Sequence, residues 1–510
     1  MADLSVIKLP NNESYNLKDA QAREMINGKL LPAGGTLGQV LVKQSSNDYD
    51  VSWETAQGIR LPMNITIDTA PTKTSYEQTE SFDPTGMVVT LHYSDGYSTV
   101  LDNNDLVFNP SSFINAGSIT VTVTYTTGSY VLTATQNVTV TAMTINSFAK
   151  LQRAVDYGIA EDIAPVGTQL TDSWSSWGLN YALWDIVHYD SSGNVTLKWH
   201  YATQVCQFDA PEAIWYAPPG GLAAGQYYIT IGSNYGSGWV VGQNINFTFP
   251  SALSADDQLV IDLGDSDGTN PTNGRTWNVY SKGSTTSKMS GTTSNSSSGT
   301  LLGSTHSTNY KQTNGNVNSP ERAAVGYSRY SESAARQFLN SDQDRGLWWS
   351  PQNPWDRPPS DLNSFDGFIY GCSADLLSVL EATTILTPLN ITDAAEEGAS
   401  YESLTDRVFI PSLDQMYIST DSVVVEEAWD YYKDLAAESG LSGKFGLYGN
   451  YSALATYQIL AMGSQAVCFL RTPYYASATD LWRHSTSITN YRAFYRHNYA
   501  PCCVIKKHSA

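Results

Sequence analysis

The sequence predicts a multidomain protein that is mainly β, and three observations lead to this prediction. A chain of 510 residues is too long to be organised around one hydrophobic core. Many stretches are short runs in which Val, Thr and Tyr alternate with polar residues between turn signals. The chain also contains 13 Trp, 32 Tyr and 14 Phe, so it has ample apolar area to bury and is not disordered as a whole.

The net charge of the chain argues against one class of partner, nucleic acid. There are 28 Lys and Arg against 49 Asp and Glu, a formal net charge of -21. Because a protein that coats nucleic acid needs a cationic surface, no nucleic-acid partner is expected. No apolar run is long enough to cross a bilayer, and the N-terminus lacks the regions of a signal peptide. We therefore expect no membrane insertion.

The cysteines indicate neither a disulfide framework nor a zinc site. Cys206, Cys372, Cys468, Cys502 and Cys503 are odd in number, scattered, and without a CxxC pair. They are expected to be buried free thiols of a protein made in a reducing cytosol.

The first 60 residues form two small segments. Residues 1–30 are too few for a domain and become helix-like at 20–27. Residues 31–60 contain two strand-like runs, 39–43 and 50–53, separated by turn residues. Since a lone hairpin is only marginally stable in water, residues 31–60 are predicted to be an oligomerisation element that packs against copies of itself.

The middle of the chain is predicted to be β-rich. Residues 61–143 have strand-like runs at 87–93, 118–125 and 137–142, which is typical of a β-sandwich. Residues 150–280 are predicted to be a second β domain, with paired strands around a turn at 191–194. Residues 281–319 are mostly Ser, Thr, Gly and Asn and are predicted to be a solvent-exposed loop.

The last part of the chain, residues 320–510, is predicted to be an α+β domain. Helices are expected at 331–340 with Ser331 as the N-cap, at 375–381 and at 426–439. Short buried strands are expected at 408–410 and 466–470.

Sequence patterns of known catalytic sites are absent. The chain has no HExxH to place two imidazoles on one helix face and no GxSxG nucleophile elbow. No enzymatic activity, cofactor or metal is therefore predicted. Other candidates are interpreted as ordinary structure: the glycine-rich turn 440–445, the turn 265–268, the solvated carboxylate pairs 396–397 and 426–427, and packed imidazoles at His188 and His200. The Trp-rich run 348–355 could stack on sugars, but core packing by an irregular segment is favoured.

One segment differs from the rest of the chain. Residues 468–510 carry six basic residues and one acidic residue, a net charge of +5, so the preceding residues carry -26. Residues 469–499 contain eight aromatics, where the overall content of 12% would give about four. Tyr and Trp with short polar residues are typical of binding loops, since rigid rings bury area at little entropic cost. An aromatic-rich terminal sheet is the structural alternative.

The predicted ligand-binding residues lie in the segment 474–499. They are Tyr474, Tyr475, Trp482, Arg483, His484, Asn490, Tyr491, Arg492, Phe494, Tyr495, Arg496, His497 and Tyr499. The segment contains no Lys, Glu, Gln or Met. Randomising the adenines of AAC codons also never yields those four residue types, so the composition is compatible with targeted diversification.

Three stretches of the β-sandwich region resemble bacterial immunoglobulin-like domains. They are PTKTSY at 71–76, ESFDPTG at 80–86 and YSDG at 93–96. Such domains usually act as spacers in surface and virion proteins. The resemblance implies an immunoglobulin-like spacer over residues 61–143.

The C-terminal part resembles phage-encoded proteins of the C-type-lectin-like, or formylglycine-generating-enzyme-like, type. The resemblance rests on RYSESAARQFLN at 329–340, DRVFIPSL at 406–413, CFLRTP at 468–473 and YAPCCVI at 499–505. It implies a C-type-lectin-like binding domain over 320–510. In relatives diversified by retroelements, the residues between the last two strands form the variable ligand-binding surface, which here is 474–499.

The N-terminal stretches resemble phage fibre and virion proteins. IKLPNNESYNLKDAQAR at 7–23 is similar to an attachment segment, and GGTLGQVLVKQSSNDYDVSW at 34–53 to a trimer-forming β-element. Together the resemblances imply a virion-attached phage fibre or receptor-binding protein, homo-oligomeric with a trimer expected. Its partners would be other virion proteins and a host-surface protein or carbohydrate. Alternatives are a capsid head fibre that adheres to glycan or mucus, and a cell-surface polysaccharide hydrolase.

Overall fold

A computed structural model gives the fold of the chain. It describes residues 6–8, 14–16, 32, 34–36, 39–47, 50–55, 60–200, 212–230, 242–255, 257–262, 274–284, 286–304, 328–352, 356, 358–359, 361–448, 468–476, 480–484, 488–492 and 498–509. Within these ranges there are 27 strands and six α-helices, so the protein is mainly β, as predicted. None of the described helices is long and apolar enough to cross a membrane. The chain divides into two compact units, residues 1–143 and 144–510.

The described residues of the first unit form strands and one short 3-10 helix, Asn103–Asp105. Its strands are β1 (Val6–Lys8), β2 (Ser14–Asn16), β3 (Gln39–Lys43), β4 (Val51–Thr55), β5 (Pro62–Thr69), β6 (Ser75–Glu77), β7 (Val88–Tyr93), β8 (Ser98–Val100), β9 (Leu106–Asn109), β10 (Gly117–Thr127) and β11 (Tyr130–Thr141). The strand pair β3–β4 confirms the two runs predicted between residues 31 and 60. The helix expected at 20–27 lies outside the described residues.

Residues 61–143 form two sheets that enclose one core. The sheets have the orders β5-β7-β8 and β6-β11-β10-β9, and the longest pairing runs from Gly117↔Val140 to Thr127↔Tyr130. Alternate residues point inward, because side chains alternate across a strand. Val89 on β7, Val121 on β10 and their neighbours from both sheets therefore form a shared hydrophobic core. The strand-like runs predicted at 87–93, 118–125 and 137–142 correspond to β7, β10 and β11.

The second unit mixes strands and helices. Its helices are α1 (Phe148–Asp156), α2 (Ala160–Ile163), α3 (Ala334–Leu339), α4 (Ala374–Val379), α5 (Ile391–Glu397) and α6 (Asp430–Glu438), with 3-10 turns at Tyr330–Glu332 and Ile369–Gly371. Its strands are β12 (Gln169–Asp172), β13 (Ala182–Tyr189), β14 (Val195–Trp199), β15 (Glu212–Tyr216), β16 (Gly225–Thr230), β17 (Asn244–Phe249), β18 (Gln258–Asp262), β19 (Thr276–Tyr280), β20 (Met289–Thr292), β21 (Thr300–Ser304), β22 (Thr383–Pro388), β23 (Tyr401–Asp406), β24 (Cys468–Pro473), β25 (Asp480–His484), β26 (Ile488–Arg492) and β27 (Cys502–Ile505).

One sheet joins the start of the second unit to its end. Its order is β12-β13-β14-β27, with pairs running from Val195↔Ile505 to Lys198↔Cys502. The hairpin β13–β14 was predicted around its turn at 191–194, but the pairing with β27 was not. This pairing corrects the expected boundary between a 150–280 domain and a 320–510 domain, since backbone hydrogen bonds of one sheet cross it.

An aromatic core also spans that boundary. The ring of Trp177 is stacked between Trp199, at 5.9 Å, and Phe338, at 5.5 Å. Phe368 packs on Trp199 at 4.6 Å. Because Trp177 and Trp199 come from the first part of the unit and both phenylalanines from the later part, the two parts bury each other's apolar surface.

The strands between residues 212 and 304 form two further sheets, β15-β18-β19-β20 and β17-β16-β21. Strands β20 and β21 correct the prediction that 281–319 is a loop; residues 305–319 lie outside the described residues. The small residues that suggested a loop serve packing here. A side chain at Gly291 of β20 would meet the Trp277 ring at 2.5 Å, so the indole lies directly on the strand backbone.

Two of the three helices predicted in the last part start later than expected, whereas α4 (Ala374–Val379) matches the prediction at 375–381 to within two residues. Ser333, and not Ser331, caps α3, because its hydroxyl accepts from the Arg336 amide at 3.1 Å while Ser331 lies in the preceding 3-10 turn. Helix α6 begins at Asp430, four residues after the expected start at 426. Residues 408–410 are buried as predicted, but they form only one isolated bridge, Phe409↔Cys502.

Candidate functional site

The candidate site is built around the sheet β24-β25-β26. The strands are antiparallel, with Cys468↔His484 between β24 and β25 and Trp482↔Asn490 between β25 and β26. Strand β24 lies wholly in the interior, from Cys468 to Pro473. The predicted segment 474–499 thus begins directly after a buried strand. The position of β24 therefore determines where the segment leaves the interior.

Trp482 is the anchor of this region. Its side chain is fully buried, and its indole Nε1 donates to the Asp421 carboxylate at 3.0 Å. Tyr474 packs edge-on against the indole with ring centroids 5.6 Å apart, and Tyr448 does the same at 5.2 Å. Three segments of the chain therefore converge on one satisfied, buried ring.

The tyrosines around this anchor face solvent to different degrees. Tyr448 is 58% exposed and Tyr475 is 38% exposed, while Tyr474 is half-buried. The backbone of Tyr475 is held on both sides: its amide donates to Asp421 at 3.4 Å and its carbonyl accepts from the Ile391 amide at 2.7 Å. Exposed rings on a fixed backbone are suited to binding, because little conformational freedom remains to be lost.

A buried ion pair fastens the neighbouring loop to β24. The Arg471 guanidinium has no exposed surface and bonds Glu426, the Ile410 carbonyl and, at 2.8 Å, Gln415. Burial lowers the pKa of Arg471 to about 10, so it remains charged at neutral pH. Asp421 lies between Gln415 and Glu426, on the loop that Arg471 holds at both ends. The buried Arg471 thereby helps to hold Asp421 in place for its hydrogen bond with Trp482.

The structure separates the predicted site residues into groups. Tyr474 and Tyr475 lie at the surface edge of the buried anchor. Trp482 and Tyr499 are corrections, because both side chains are fully buried and belong to the core rather than to a ligand-facing surface. A high content of aromatic residues does not show which of the rings packs inward.

The other predicted residues are placed only by strand register or not at all. Register pairs put Arg483 opposite Thr489, His484 opposite Ile488, Asn490 opposite Trp482, Tyr491 opposite Leu481 and Arg492 opposite Asp480. Phe494, Tyr495, Arg496 and His497 lie outside the described residues.

Sequence reasoning missed two residues of this site. Tyr448 lies 26 residues before Tyr474, and its φ of +58° is a conformation that bulky residues rarely adopt. Asp421 is an isolated carboxylate in a polar run. Neither residue belongs to a sequence motif that would identify it. The positive φ distinguishes Tyr448, but a φ value is known only from the structure.

Of the candidates set aside from the sequence, one needs correction. Glu426 is not on a solvated helix face; its side chain is 11% exposed and pairs with Arg471. Glu396 and Glu397 are exposed as expected, and residues 440–445 follow α6 as a turn with Gly440 at φ +76°. The turn expected at 265–268 lies outside the described residues.

The packed histidines and the Trp-rich run behave as predicted. His188 is buried and bonds Asp430 at 2.8 Å, and His200 bonds Asp185 at 2.8 Å. Trp348 is buried against Phe338 and donates to a backbone carbonyl; residues 353–355 lie outside the described residues. Cys372, Cys468, Cys502 and Cys503 are buried free thiols, and burial raises the pKa of each; Cys206 is not among the described residues.

Across the part of the chain that the structure describes, no group of His, Cys, Asp and Glu side chains could hold a metal ion. No protein-family model and no curated protein matches the chain.

Proposed function

We propose that this chain is a fibre or receptor-binding protein of a phage virion, attached by residues 1–30 and without enzymatic activity. Residues 31–60 make it a homo-oligomer, with a trimer expected, and residues 61–143 are an immunoglobulin-like spacer. A C-type-lectin-like head binds a host-surface protein or glycan through the segment 474–499, which we take to be diversified.

The observation that carries the proposal is the fixed tyrosine edge of the head. Tyr475 and Tyr448 expose much of their rings, yet the elements behind them are held by the buried Trp482 and Arg471. Such an arrangement resembles a paratope, in which rigid aromatic rings supply contact area on a scaffold that does not rearrange. The basic charge of residues 468–510 on an otherwise acidic chain supports the same segment.

Adsorption of virions tests this proposal. We expect the combined variant Tyr491→Ala, Arg492→Ala, Tyr495→Ala, Arg496→Ala to reduce the adsorption rate on the host strain by about tenfold or more, as the loss of interface anchors does. Tyr181→Ala is the control, since Tyr181 is 55% exposed and lies just before β13, outside the segment in sequence. Unchanged adsorption by the combined variant would rule out the segment as the binding site.

Labelling of virions with gold-conjugated antibodies against the chain tests its location. Label at the tail tip fits host-range determination, and label on the capsid fits a head fibre that adheres to glycan or mucus. Virions without label would contradict a virion protein of either kind.

A further inference from the structure

One sheet of residues 61–143 is almost free of charge. Its strands β9, β10 and β11 lie within residues 106–143, which contain no Asp, Glu, Lys, Arg or His. The charged content of the whole chain, 15%, would give about six charged residues in a stretch of that length. The fourth strand of the sheet, the edge strand β6, adds only Glu77.

The strand register places threonines side by side on the outer face of this sheet. Val121 on β10 and Val138 on β11 point into the core, so the residues next to them point outward. Six outward residues, called the threonine face below, form the register pairs Thr120↔Asn137, Thr122↔Thr135 and Thr124↔Thr133. All six are exposed or partly exposed, and the Thr120 hydroxyl donates to the Asn137 side-chain oxygen at 2.8 Å.

Two exposed valines border the threonine face. Val107 on β9 is the register partner of Thr124 and is 64% exposed, and Val131 on β11 is the partner of Thr126 and is 65% exposed. Threonine itself presents a methyl group, and its branched side chain has little rotamer freedom to lose on contact. The face therefore offers contact area at a small entropic cost, and it has no aromatic ring on which a sugar could stack.

The charged residues of the proposed spacer lie elsewhere. Residues 61–143 contain seven acidic residues and one Lys, a net charge of -6. Asp68 lies on β5 of the other sheet, and Asp95 and Asp102 lie between strands. Two copies of the spacer thus repel each other where these carboxylates meet, and repel each other least where the two threonine faces meet.

The threonine face is too small to hold two chains together without help. Strands β10 and β11 are 11 and 12 residues long and span about 36–40 Å, which gives roughly 370 Å² for the two strands. Specific interfaces bury about 800 Å² on each partner. The hairpin β3–β4 supplies the link, because Thr55 and Pro62 are close in sequence and the chain between them spans at most about 25 Å. Chains joined by the hairpin hold their spacers at millimolar effective concentration, at which a weak contact forms.

We infer that the threonine face packs against the spacer of a second copy of this chain, so that the uncharged faces turn inward in the oligomer and the acidic surfaces turn outward. This inference rests on the oligomer of the proposed function and specifies how its copies contact each other.

The first test places the same charge on opposite faces of the spacer. Thr135→Glu adds a carboxylate at an exposed position of the threonine face, and Asn64→Glu adds one at an exposed position of β5 in the other sheet. Light scattering over a dilution series measures the concentration at which half of the full-length oligomer dissociates. We expect that concentration to rise about tenfold for Thr135→Glu and to stay within about twofold of the wild type for Asn64→Glu. Equal changes in the two variants would overturn the inference and leave the oligomer standing, whereas a monomeric wild type would contradict the oligomer itself.

The second test measures proximity directly and does not depend on the added charge. A bismaleimide should join full-length Thr135→Cys into covalent dimers. Asn64→Cys should give no more dimer than the wild type, whose described cysteines are buried. Equal dimer yields from Thr135→Cys and Asn64→Cys would overturn the inference. Cross-linking of Thr135→Cys in phage particles to a different virion protein, and not to itself, would assign the face to that protein and would also overturn it.

Discussion

At the scale of single residues, the sheet β12-β13-β14-β27 contains a buried carboxylate, Asp185. Asp185 on β13 is 8% exposed and accepts from His200 at 2.8 Å and from Gln169 at 2.9 Å. Lys198, its register partner on β14, is also buried. Burial opposes ionisation of Asp185, but the bond from His200, the charge of Lys198 and the Gln169 amide outweigh it and lower the pKa of the carboxyl.

This lowered pKa predicts the pH dependence of stability. A carboxyl whose pKa is lower in the folded state stabilises the fold above its unfolded pKa of about 4, and that contribution is lost as pH falls through the folded pKa. We expect Asp185→Asn to lower the melting temperature at pH 7, and the difference from the wild type to shrink below about pH 4. Thermal unfolding followed by tryptophan fluorescence measures this, because 12 of the 13 tryptophans lie in residues 144–510.

The exposed Asp342 provides the control. Asp342→Asn should leave the melting temperature close to that of the wild type at either pH, since the side chain lies at the surface. A difference between Asp185→Asn and the wild type that stays constant from pH 7 to pH 3 would contradict an ionised Asp185 as the source of the stability.

At the scale of elements, the position of the tyrosines around Trp482 depends on how β24 is joined to the loop that carries Asp421. Arg471 on β24 is buried with Glu426, so removing the Glu426 charge leaves a buried cation without its partner. We expect Glu426→Gln to destabilise the second unit by about 3 kcal/mol, in the range found when one partner of a buried pair is removed. Denaturant unfolding followed by tryptophan fluorescence measures the change.

A surface ion pair of the same unit is the control. Lys433 pairs with Asp430 at 3.0 Å, and both side chains are more than a third exposed. Lys433→Ala should therefore cost less than about 1 kcal/mol. Equal losses from the two variants would show that the burial of Arg471 does not set the strength of its connection to the loop.

The elements that the sequence predicts are those with a strong local period. The hairpins β3–β4 and β13–β14 follow from alternating residues on either side of turn residues. Strands β20 and β21 are not predicted, because their glycine and serine residues give no alternation of apolar and polar side chains. Gly291 is nevertheless needed in β20, because a larger residue would clash with the Trp277 ring. The pairing of β14 with β27 joins residues more than 300 positions apart, and no local pattern encodes such a contact.

For the candidate site, the sequence predicts the segment but not which of its side chains are buried. Composition identifies the segment 474–499, because aromatic and basic residues are concentrated there. It does not distinguish the buried Trp482 from the exposed Tyr475, since both are aromatic residues in a strand-like run. The burial of Trp482 depends on its contacts with Asp421 and Tyr448. Both residues are distant from Trp482 in the sequence and come close to it only in the folded chain.

At the scale of the whole molecule, the described residues between 31 and 60 form no core of their own. The β3–β4 hairpin pairs Leu41 with Trp53, and the Trp53 indole donates to the Pro32 carbonyl at 2.6 Å. Among the described residues from 32 to 54, none has a buried side chain; Val40, Leu41 and Val42 are all partly exposed. A two-stranded sheet with apolar residues on both faces is marginal in water, so we expect further chains to bury these residues.

We therefore predict that the full-length chain is an oligomer held by this hairpin. Light scattering should give a multiple of the 55.7 kDa chain mass, three for a trimer. Leu41→Asp with Val42→Asp places a charge on each face of β3, because neighbouring side chains alternate, and should dissociate the oligomer. Lys43→Asp, at an exposed position of the same strand, should not. The tryptophan-detected melting transition should be the same in all three proteins, since it reports residues 144–510. A monomer mass for the wild type, or an intact oligomer of the double variant, would contradict association through this hairpin.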